Sequence, residues 1–283
     1  MPDHRGLDPD IAAHYQLGIE RARLRTVFRL EFARTREILA RYLPPPPAAV
    51  FDIGGGMGAY AIPLAAQGYE VHLLDPVELH VREASNAWMQ REREASGGGR
   101  LAEAVVGDAR ELPFEDASAD AALLLGPLYH LTERSQRLAA LREALRVLRP
   151  GGPMLAAAIS AFASTYDGLT RGFLAEPGFE EIVERDVREG QHRNPAGRPD
   201  WFTTAFFHRP EQLRDEVQEA GFALEALLAV EGPASALPQV NEWLDDAERR
   251  ELLLRAIRRV ETEPSVLGAS AHVLAVARCR RSP

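Results

Sequence analysis

Two hydrophobic patterns alternate along this chain. Short, nearly continuous apolar runs are typical of buried strands, and stretches with apolar residues at helical spacing predict helices between them. The predicted strands are 48–53, 70–74, 104–106, 119–125 and 154–159, and the helices are 60–67, 78–95 and 134–148. Strands that alternate with helices through short links favour an α/β fold, with a parallel sheet and helices on both faces.

Upstream of this region the chain predicts helices only. Residues 24–43 are amphipathic, and 14–23 fit a second, shorter helix. The four prolines at 44–47 cannot continue a helix and act as a spacer. We therefore separate an N-terminal helical segment, 1–47, from a main domain, 48–283.

Downstream of the fifth strand the regular pattern is interrupted. Residues 160–209 have many aromatic side chains but no steady period. The pattern then resumes, with helices predicted at 211–220 and 245–261 and strands at 223–230 and 272–277. The stretch 160–209 is thus predicted to be an insertion in the main domain, part helical and part irregular.

Composition narrows the possible functions. The chain has 283 residues, of which 46% are hydrophobic and 27% charged, enough for one large domain with a buried core. Its net charge is −9, so we expect no nucleic-acid partner. All its basic side chains except histidine are arginine, which excludes a Schiff-base lysine and a P-loop lysine. Cys279 has no second cysteine with which to form a disulfide or a thiolate metal site.

Targeting and membrane segments are not predicted. The first ten residues are polar, and the apolar stretch 121–131 is interrupted by Gly126, Pro127 and His130. A membrane helix needs roughly 20 apolar residues. We expect a cytoplasmic protein without a membrane partner.

The most informative segment is a glycine-rich turn after the first strand. The strand ends at Asp52-Ile53 and continues into Gly54-Gly55-Gly56-Met57-Gly58, which precedes a helix. Glycines in such a turn let a ligand approach the backbone closely. Asp75, at the end of the second strand, is placed to accept both ribose hydroxyls of an adenosine.

Two ligand classes fit this turn. Gly54, Gly56 and Ala59 match the dinucleotide pattern G-x-G-x-x-A, so a nicotinamide-dependent oxidoreductase is a competing hypothesis. Asp52 argues against it, because a carboxylate two residues before the first glycine would repel a pyrophosphate. The same carboxylate would attract a cationic amino-acid group.

With Asp52 included, the segment resembles motif I (D/E-x-G-x-G-x-G) of the class I S-adenosylmethionine-dependent methyltransferases. Further motifs of that family follow in order: Asp75, then Gly107-Asp108-Ala109, then 120–131 with Leu125 and Gly126, then 148–152 before the fifth strand. One departure is Pro153, where the family has an apolar strand residue, and it is expected to affect only the start of that strand.

This resemblance implies a Rossmann-like seven-stranded mixed sheet whose last strand is antiparallel. It also implies that S-adenosylmethionine is the cofactor. Asp52 and the glycines 54, 55, 56 and 58 would hold its amino-acid end, Asp75 its ribose, and Asp108 with Ala109 its adenine, with Leu125 and Gly126 beside it. A chain that keeps this fold without transfer activity is a third hypothesis.

His130 and Tyr129 are the candidates nearest the methyl group, because they follow the fourth strand at the ligand-bearing edge. As a general base His130 would be suited by its ordinary pKa of about 6.5. The alternative is that His130 packs beside the cofactor, with Tyr129 lining the pocket. We expect His72 to be structural and His80 to be exposed.

The remaining expectations concern the acceptor. His192 and His208 lie where a substrate could reach them. In this family the N-terminal segment, here with Tyr15, Glu20, Arg21 and Arg23, often covers the cofactor, and insertions after the fifth strand usually build the acceptor pocket. The alternatives are that the N-terminal segment is a surface helix packed on the sheet and that the insertion's aromatics form its own core. The aromatics of that insertion are Phe162, Tyr166, Phe173, Phe179, Trp201, Phe202, Phe206 and Phe207. We predict a small organic acceptor, no metal, and either a monomer or a homodimer.

Overall fold

A computed structural model describes residues 8–16, 28–92 and 98–280. The strands are β1 (Ala49–Ile53), β2 (Glu70–Asp75), β3 (Arg100–Val106), β4 (Ala121–Leu124), β5 (Pro153–Ile159), β6 (Gln191–His192), β7 (Ala205–Phe206), β8 (Ala223–Ala229) and β9 (His272–Arg278). The helices up to β5 are α1 (Pro9–Gln16), α2 (Arg29–Tyr42), α3 (Ala61–Ala66), α4 (Glu78–Glu92), α5 (Pro127–His130) and α6 (Arg134–Val147). Those after β5 are α7 (Ala163–Thr170), α8 (Phe179–Glu189), α9 (Pro210–Glu219), α10 (Val240–Asp245), α11 (Ala247–Arg258) and α12 (Pro264–Leu267).

The main sheet has seven strands in the order β3-β2-β1-β4-β5-β9-β8. The first five strands are mutually parallel, and β9 is antiparallel to both of its neighbours, β5 and β8. The predicted fold class is therefore confirmed. Pro153 is the first residue of β5 and lies opposite Arg278, so it does not shorten the strand, as expected of a proline at a strand's first position.

The core has two layers, one on each face of the sheet. One layer contains the buried faces of α6 and α9 with Leu141 and Leu213, and the other those of α2, α3 and α4 with Ile38, Leu64 and Trp88. The helices that connect the strands therefore cover both faces of the sheet, as the alternating pattern predicts.

The N-terminal helices are placed differently from one another. α2 packs on the sheet and buries Arg34, whose guanidinium donates to Glu261 (2.5 Å) and to the carbonyl of Val230 (2.9 Å). α1 instead contacts the insertion, where Asp10 accepts a hydrogen bond from the Thr204 hydroxyl at 3.3 Å. Glu20, Arg21 and Arg23, and the predicted helical residues 17–27 and 93–95, lie outside the described residues.

The insertion 160–209 is more regular than its sequence indicates. It contains α7, α8 and a short antiparallel pair, β6 with β7, in which Gln191 lies opposite Phe206. Among the described residues, no helix combines the length and the apolar character required to cross a membrane.

Candidate active site

The glycine-rich turn follows β1 at the carboxyl edge of the sheet. Gly54 and Gly56 have positive φ values of 72° and 55°, which residues other than glycine seldom adopt. A Cβ on Gly54 would lie 2.9 Å from Cδ of Pro127, and one on Gly55 would lie 2.7 Å from the Asp52 carboxyl carbon. The turn therefore needs glycine both for its conformation and for its close contacts.

The amides of this turn are already engaged inside the protein. The N–H groups of Gly54 and Gly55 donate to the carbonyl of Leu74 at 2.7 and 3.2 Å, and that of Gly56 donates to Oδ2 of Asp75 at 2.8 Å. The turn is thereby fixed to the end of β2, and these three donors already have acceptors within the protein.

Asp52 is the least satisfied polar group of the site. Its side chain is 1% exposed, and neither carboxylate oxygen makes a hydrogen bond of regular geometry with a described residue. Burial raises the pKa of Asp52 to about 7, and the nearby Asp75 carboxylate adds to the increase, whereas the amide of Ala61 opposes it. A buried carboxylate whose one donor, the Ala61 amide, is too poorly aligned to offset its burial is suited to a cationic group of a ligand.

Asp75 ends β2 and is hydrogen-bonded by its surroundings. Its Oδ1 accepts from the amide of Val77 (2.9 Å) and lies 3.0 Å from Nδ1 of His80. The prediction that His80 is exposed is wrong, since it is 3% exposed. Because α4 begins three residues after Asp75, its first turn places His80 beside the carboxylate.

Asp108 follows β3, and Arg110 holds its side chain. The Nε of Arg110 donates to both Asp108 oxygens, at 2.9 and 3.0 Å. Burial raises the pKa of Asp108, but the hydrogen bonds from Arg110 outweigh it and the net effect is a lowered pKa. The carboxylate at the predicted adenine position is thus ionised and already partnered by an arginine.

A cavity of about 410 Å³ lies beside these groups. Every residue predicted for the site lines it: Asp52, Gly54, Gly55, Gly56, Gly58, Asp75, Asp108, Ala109, Leu125, Gly126, Tyr129 and His130. They come from the ends of β1, β2, β3 and β4, which meet at one edge because the strands are parallel. We call this space the cofactor-side cavity.

His130 closes one side of the cofactor-side cavity together with the N-terminal helix. The Tyr15 hydroxyl of α1 is hydrogen-bonded to Nε2 of His130, and the ring of Phe202 stacks on the imidazole at a centroid distance of 5.9 Å. The Tyr129 hydroxyl donates to the carbonyl of Leu125 at 3.3 Å. These contacts join α1, the turn after β4 and the insertion beside the cavity.

The other histidines of interest are buried. His192 is 1% exposed, with Nδ1 2.8 Å from Asp186 and Nε2 2.7 Å from the carbonyl of Trp201. His208 lies 3.2 Å from Glu216, and burial lowers its pKa despite that carboxylate. His192 lines a second cavity and His208 lines neither, so of the two only His192 is near a ligand space.

The second cavity, of about 160 Å³, lies under the insertion. It shares Tyr60, Leu125 and Tyr129 with the cofactor-side cavity, and we call it the acceptor-side cavity. Of the insertion's aromatic residues, the ones that line it are Phe173, Phe179, Trp201, Phe202 and Phe207. By contrast, Tyr166 donates to the carbonyl of Gly268 at 2.9 Å, and Phe206 lies under the Arg137 guanidinium.

Several lining residues were not predicted from the sequence. His80, Glu83 and Arg110 line the cofactor-side cavity, and Phe28, Glu31 and His272 line the acceptor-side cavity. Arg110 is two residues after Asp108, so its spacing offered a clue. Glu31 and His272 are far apart in sequence, and no local pattern relates them.

Within the described ranges, one group has the spacing of metal ligands. Glu31, Glu231 and His272 each offer a ligand atom, and these atoms lie within 4.8 Å of one another. His272 Nδ1 is 2.5 Å from Glu231 Oε1, the geometry of a hydrogen-bonded ion pair. The expectation of no metal stays a prediction.

Comparison with known proteins agrees with this geometry. Residues 50–152 match the methyltransferase domain family. A malonyl-[acyl-carrier protein] O-methyltransferase of Methylococcus capsulatus is 33% identical over 157 residues, covering 52% of this chain and 53% of that protein. A ubiquinone/menaquinone biosynthesis C-methyltransferase of a Caulobacter species is 33% identical over 162 residues, covering 53% of this chain and 60% of that protein.

A similar solved structure is an S-adenosylmethionine-dependent methyltransferase of Methanosarcina mazei, with a TM-score of 0.60 and 19% identity. The match covers 87% of this chain and 98% of that one. Residues 50–152 match a methyltransferase domain, and the chain has the Rossmann-like fold of the class I methyltransferases. It spans 53% and 60% of the lengths of the two curated relatives.

Proposed function

We propose that this protein transfers a methyl group from S-adenosylmethionine to a small organic acceptor by in-line displacement. The observation that carries the proposal is the cofactor-side cavity, which collects the predicted site residues from four strand ends. When bound, S-adenosylmethionine supplies an electrophilic methyl group on its sulfonium. The protein's task is then mainly to align the acceptor with that methyl group, and alignment alone can contribute about 7–11 kcal/mol.

The residues present fit this cofactor. Asp52 is a buried carboxylate without a regular donor, and the amino-acid end of S-adenosylmethionine carries an ammonium that would satisfy it. Asp75 would accept ribose hydroxyls, and Asp108 with Ala109 would contact the adenine. Leu125, Gly126 and the glycines of the turn would form the walls.

The nicotinamide alternative is disfavoured by the hydrogen bonds of the turn. A dinucleotide's pyrophosphate needs free backbone amides. Here the amides of Gly54 and Gly55 are engaged by Leu74, and that of Gly56 by Asp75. A pyrophosphate at this position would also lie close to the Asp52 carboxylate.

The acceptor atom is a separate question. The two curated relatives are named for transfer to oxygen and to carbon, so their names do not indicate which kind of atom accepts the methyl group here. His130 would act as a base only for a hydroxyl or an acidic carbon, since a neutral amine can lose its proton after transfer. Tyr129, at the junction of the two cavities, would line the path of the methyl group.

Calorimetric titration of the full chain with S-adenosylhomocysteine and, separately, with NAD⁺ tests the cofactor. We expect S-adenosylhomocysteine to bind and NAD⁺ to bind more weakly, and the reverse order would overturn the proposal. Transfer of a labelled methyl group to a panel of amines, phenols and carboxylates tests the activity. Cofactor binding without turnover on any of them would favour a methyltransferase fold that lacks transfer.

A further inference from the structure

The turn after β3 forms the part of the cofactor-side cavity at the predicted adenine position. Asp108, Ala109 and Arg110 all line the cavity. Ala109 is 7% exposed, and the side chains of Asp108 and Arg110 are 29% and 22% exposed. Two charged groups therefore lie where the base is predicted to bind, and the contacts between them decide what the base can meet.

The backbone on either side of this turn is fixed to the rest of the domain. The amide of Gly107 donates to the carbonyl of Asp75 in β2 at 3.2 Å. The amide of Leu112 donates to the Glu143 carboxylate of α6 at 2.8 Å. The intervening residues, 108–111, are thus held between the sheet and α6, so the side chains of the turn meet in a defined arrangement.

Arg110 engages all the acceptor sites of the Asp108 carboxylate. A carboxylate offers about four lone-pair sites on its two oxygens. Oδ1 of Asp108 accepts from the amide of Arg110 at 2.8 Å and from its Nε at 2.9 Å. Oδ2 accepts from the same Nε at 3.0 Å and also from Nη2. Each oxygen therefore has two N–H contacts, and all of them come from one residue.

This pair is difficult for a neutral donor to displace. The contact with the Arg110 amide closes a turn that aspartate commonly forms with the backbone two residues on, so the carboxylate cannot rotate without breaking it. The guanidinium approaches through two adjacent N–H groups, the fork geometry that suits a carboxylate. An amino group of a base would replace a charged donor by a neutral one, which forms the weaker hydrogen bond.

We infer that Arg110 occupies Asp108 so fully that this protein does not recognise the 6-amino group of the cofactor's adenine. The inference rests on the proposed function and concerns how its cofactor is selected. Asp108 would lie beside the base without accepting from the amino group. Burial against walls such as Ala109, together with the contacts at the ribose and the amino-acid end, would hold the cofactor instead. Arg110 is thus a specificity-determining residue, because it removes a polar contact that would distinguish adenine from other purines.

Two ligands that differ only in the amino group test the inference. Calorimetry on the full chain would compare S-adenosylhomocysteine with its purine analogue, in which hydrogen replaces the 6-amino group. We expect the two affinities to agree within about threefold, because no charge-assisted hydrogen bond distinguishes the ligands. A stronger preference for the adenine compound would overturn the inference.

Replacing Arg110 should create the preference that the unsubstituted protein lacks. In Arg110→Met the Asp108 carboxylate loses its side-chain donors. The adenine compound should then bind roughly tenfold or more tighter than the purine compound, the scale of one charge-assisted hydrogen bond. Each comparison is a ratio of two affinities for one variant, so a general weakening of the cavity cancels. An unchanged ratio in Arg110→Met would refute the inference.

A double variant assigns the new preference to the carboxylate. In Arg110→Met/Asp108→Ala the ratio should return to within about threefold, because no carboxylate is left to accept from the amino group. A preference that persists in the double variant would show that another group contacts the amino nitrogen, which contradicts the inference. Arg91→Met, an exposed change near the end of α4, is the matched control and should leave the ratio unchanged.

Stability and cofactor binding are measured beside these ratios. If Arg110→Met lowers the thermal stability, Arg110→Gln provides the second measurement, since it removes the charge and the fork but keeps a polar side chain. The same gain in preference is expected there, and its absence would refute the inference. Failure of S-adenosylhomocysteine to bind the unsubstituted protein would refute the proposed function. Normal binding with a strong preference for the amino group would refute only the role of Arg110.

Discussion

The cofactor-side cavity and the acceptor-side cavity are neighbours but are built in different ways. The cofactor-side cavity is made of strand ends and the turns that follow them, such as Asp52 to Gly58 after β1. The acceptor-side cavity is made of residues distant in sequence, including Phe28, Trp201 and His272. The first therefore depends mainly on the sheet, with Tyr15 of α1 and His80 and Glu83 of α4 completing its wall. The second depends on how α2, the insertion and β9 pack against one another.

The largest effect is expected at the attachment of α2, which carries Glu31. Replacing the buried Arg34 by Met leaves Glu261 without one of its partners, and breaking a buried ion pair typically costs about 3–5 kcal/mol. Urea denaturation would measure the loss. Arg36→Met, an exposed change on the same helix, should cost little. A loss below about 1 kcal/mol for Arg34→Met would show that α2 is held mainly by apolar packing.

Asp52→Asn should change stability and cofactor binding in opposite directions. The folded pKa of Asp52, about 7, lies above its ordinary value of 3.8. Asp52 is protonated in both the folded and the unfolded state below pH 4, so it costs no stability there. As the pH rises towards 7 the unfolded state loses this proton first, and the folded state loses stability. At pH 8 the substitution should stabilise the ligand-free protein by at most about 4 kcal/mol, while weakening the binding of S-adenosylhomocysteine.

Thermal denaturation at pH 4 and pH 8 checks the sign, because the gain should be present only at the higher pH. In the unsubstituted protein, the affinity for S-adenosylhomocysteine should rise between pH 6 and 8 as Asp52 ionises. That dependence should disappear in Asp52→Asn. A destabilised variant at pH 8 would show that the Asp52 carboxylate is satisfied in the ligand-free protein.

Asp75→Ala should weaken the binding of S-adenosylhomocysteine by about 1–3 kcal/mol, the cost of leaving buried polar groups without a partner. Asp75 also accepts from the amide of Gly56, so thermal stability must be measured beside the calorimetric affinity. Glu78→Ala, an exposed acid at the start of α4, is the control. Unchanged affinity in Asp75→Ala would contradict the assignment of Asp75 to the cofactor's ribose.

The smallest effect is expected at His130, on the boundary between the cavities. Because the contacts of His130 with Tyr15 and Phe202 favour a packing role, His130→Gln should lower kcat less than about tenfold, whereas loss of a general base typically costs 10²- to 10⁴-fold. Glutamine can still hydrogen-bond to the Tyr15 hydroxyl. Steady-state kinetics with the best acceptor of the panel would decide, and a drop of about a hundredfold would assign His130 as the base.

The residues predicted from the sequence all line the cofactor-side cavity, because each part of this cavity's strand-end wall is local in sequence. A strand, a glycine turn and an acidic residue at the next strand end are read within a few tens of residues, and parallel pairing brings them to one edge. The error at His80 arose because exposure was judged from its helix alone. Its partner, Asp75, lies in the preceding strand.

The acceptor-side cavity was only partly predictable. The insertion was identified as the place for acceptor contacts, but the pattern could not separate Trp201 and Phe202, which line the cavity, from Phe206, which packs under Arg137. Glu31 lies close to Glu231 and His272 only because of the tertiary packing between α2 and β9. Hydrophobic periodicity has no information about such distant pairs.

The position of β9 has a consequence for how the chain is made. β9 lies between β5 and β8, and β8 pairs with no other strand in the part of the chain that the structure describes. During synthesis, β8 therefore leaves the ribosome before the strand that will connect it to the sheet. Until residues 272–278 emerge, the edge of β5 stays open, so the ribosome-bound chain would present an unpaired strand edge that is prone to aggregation or chaperone capture.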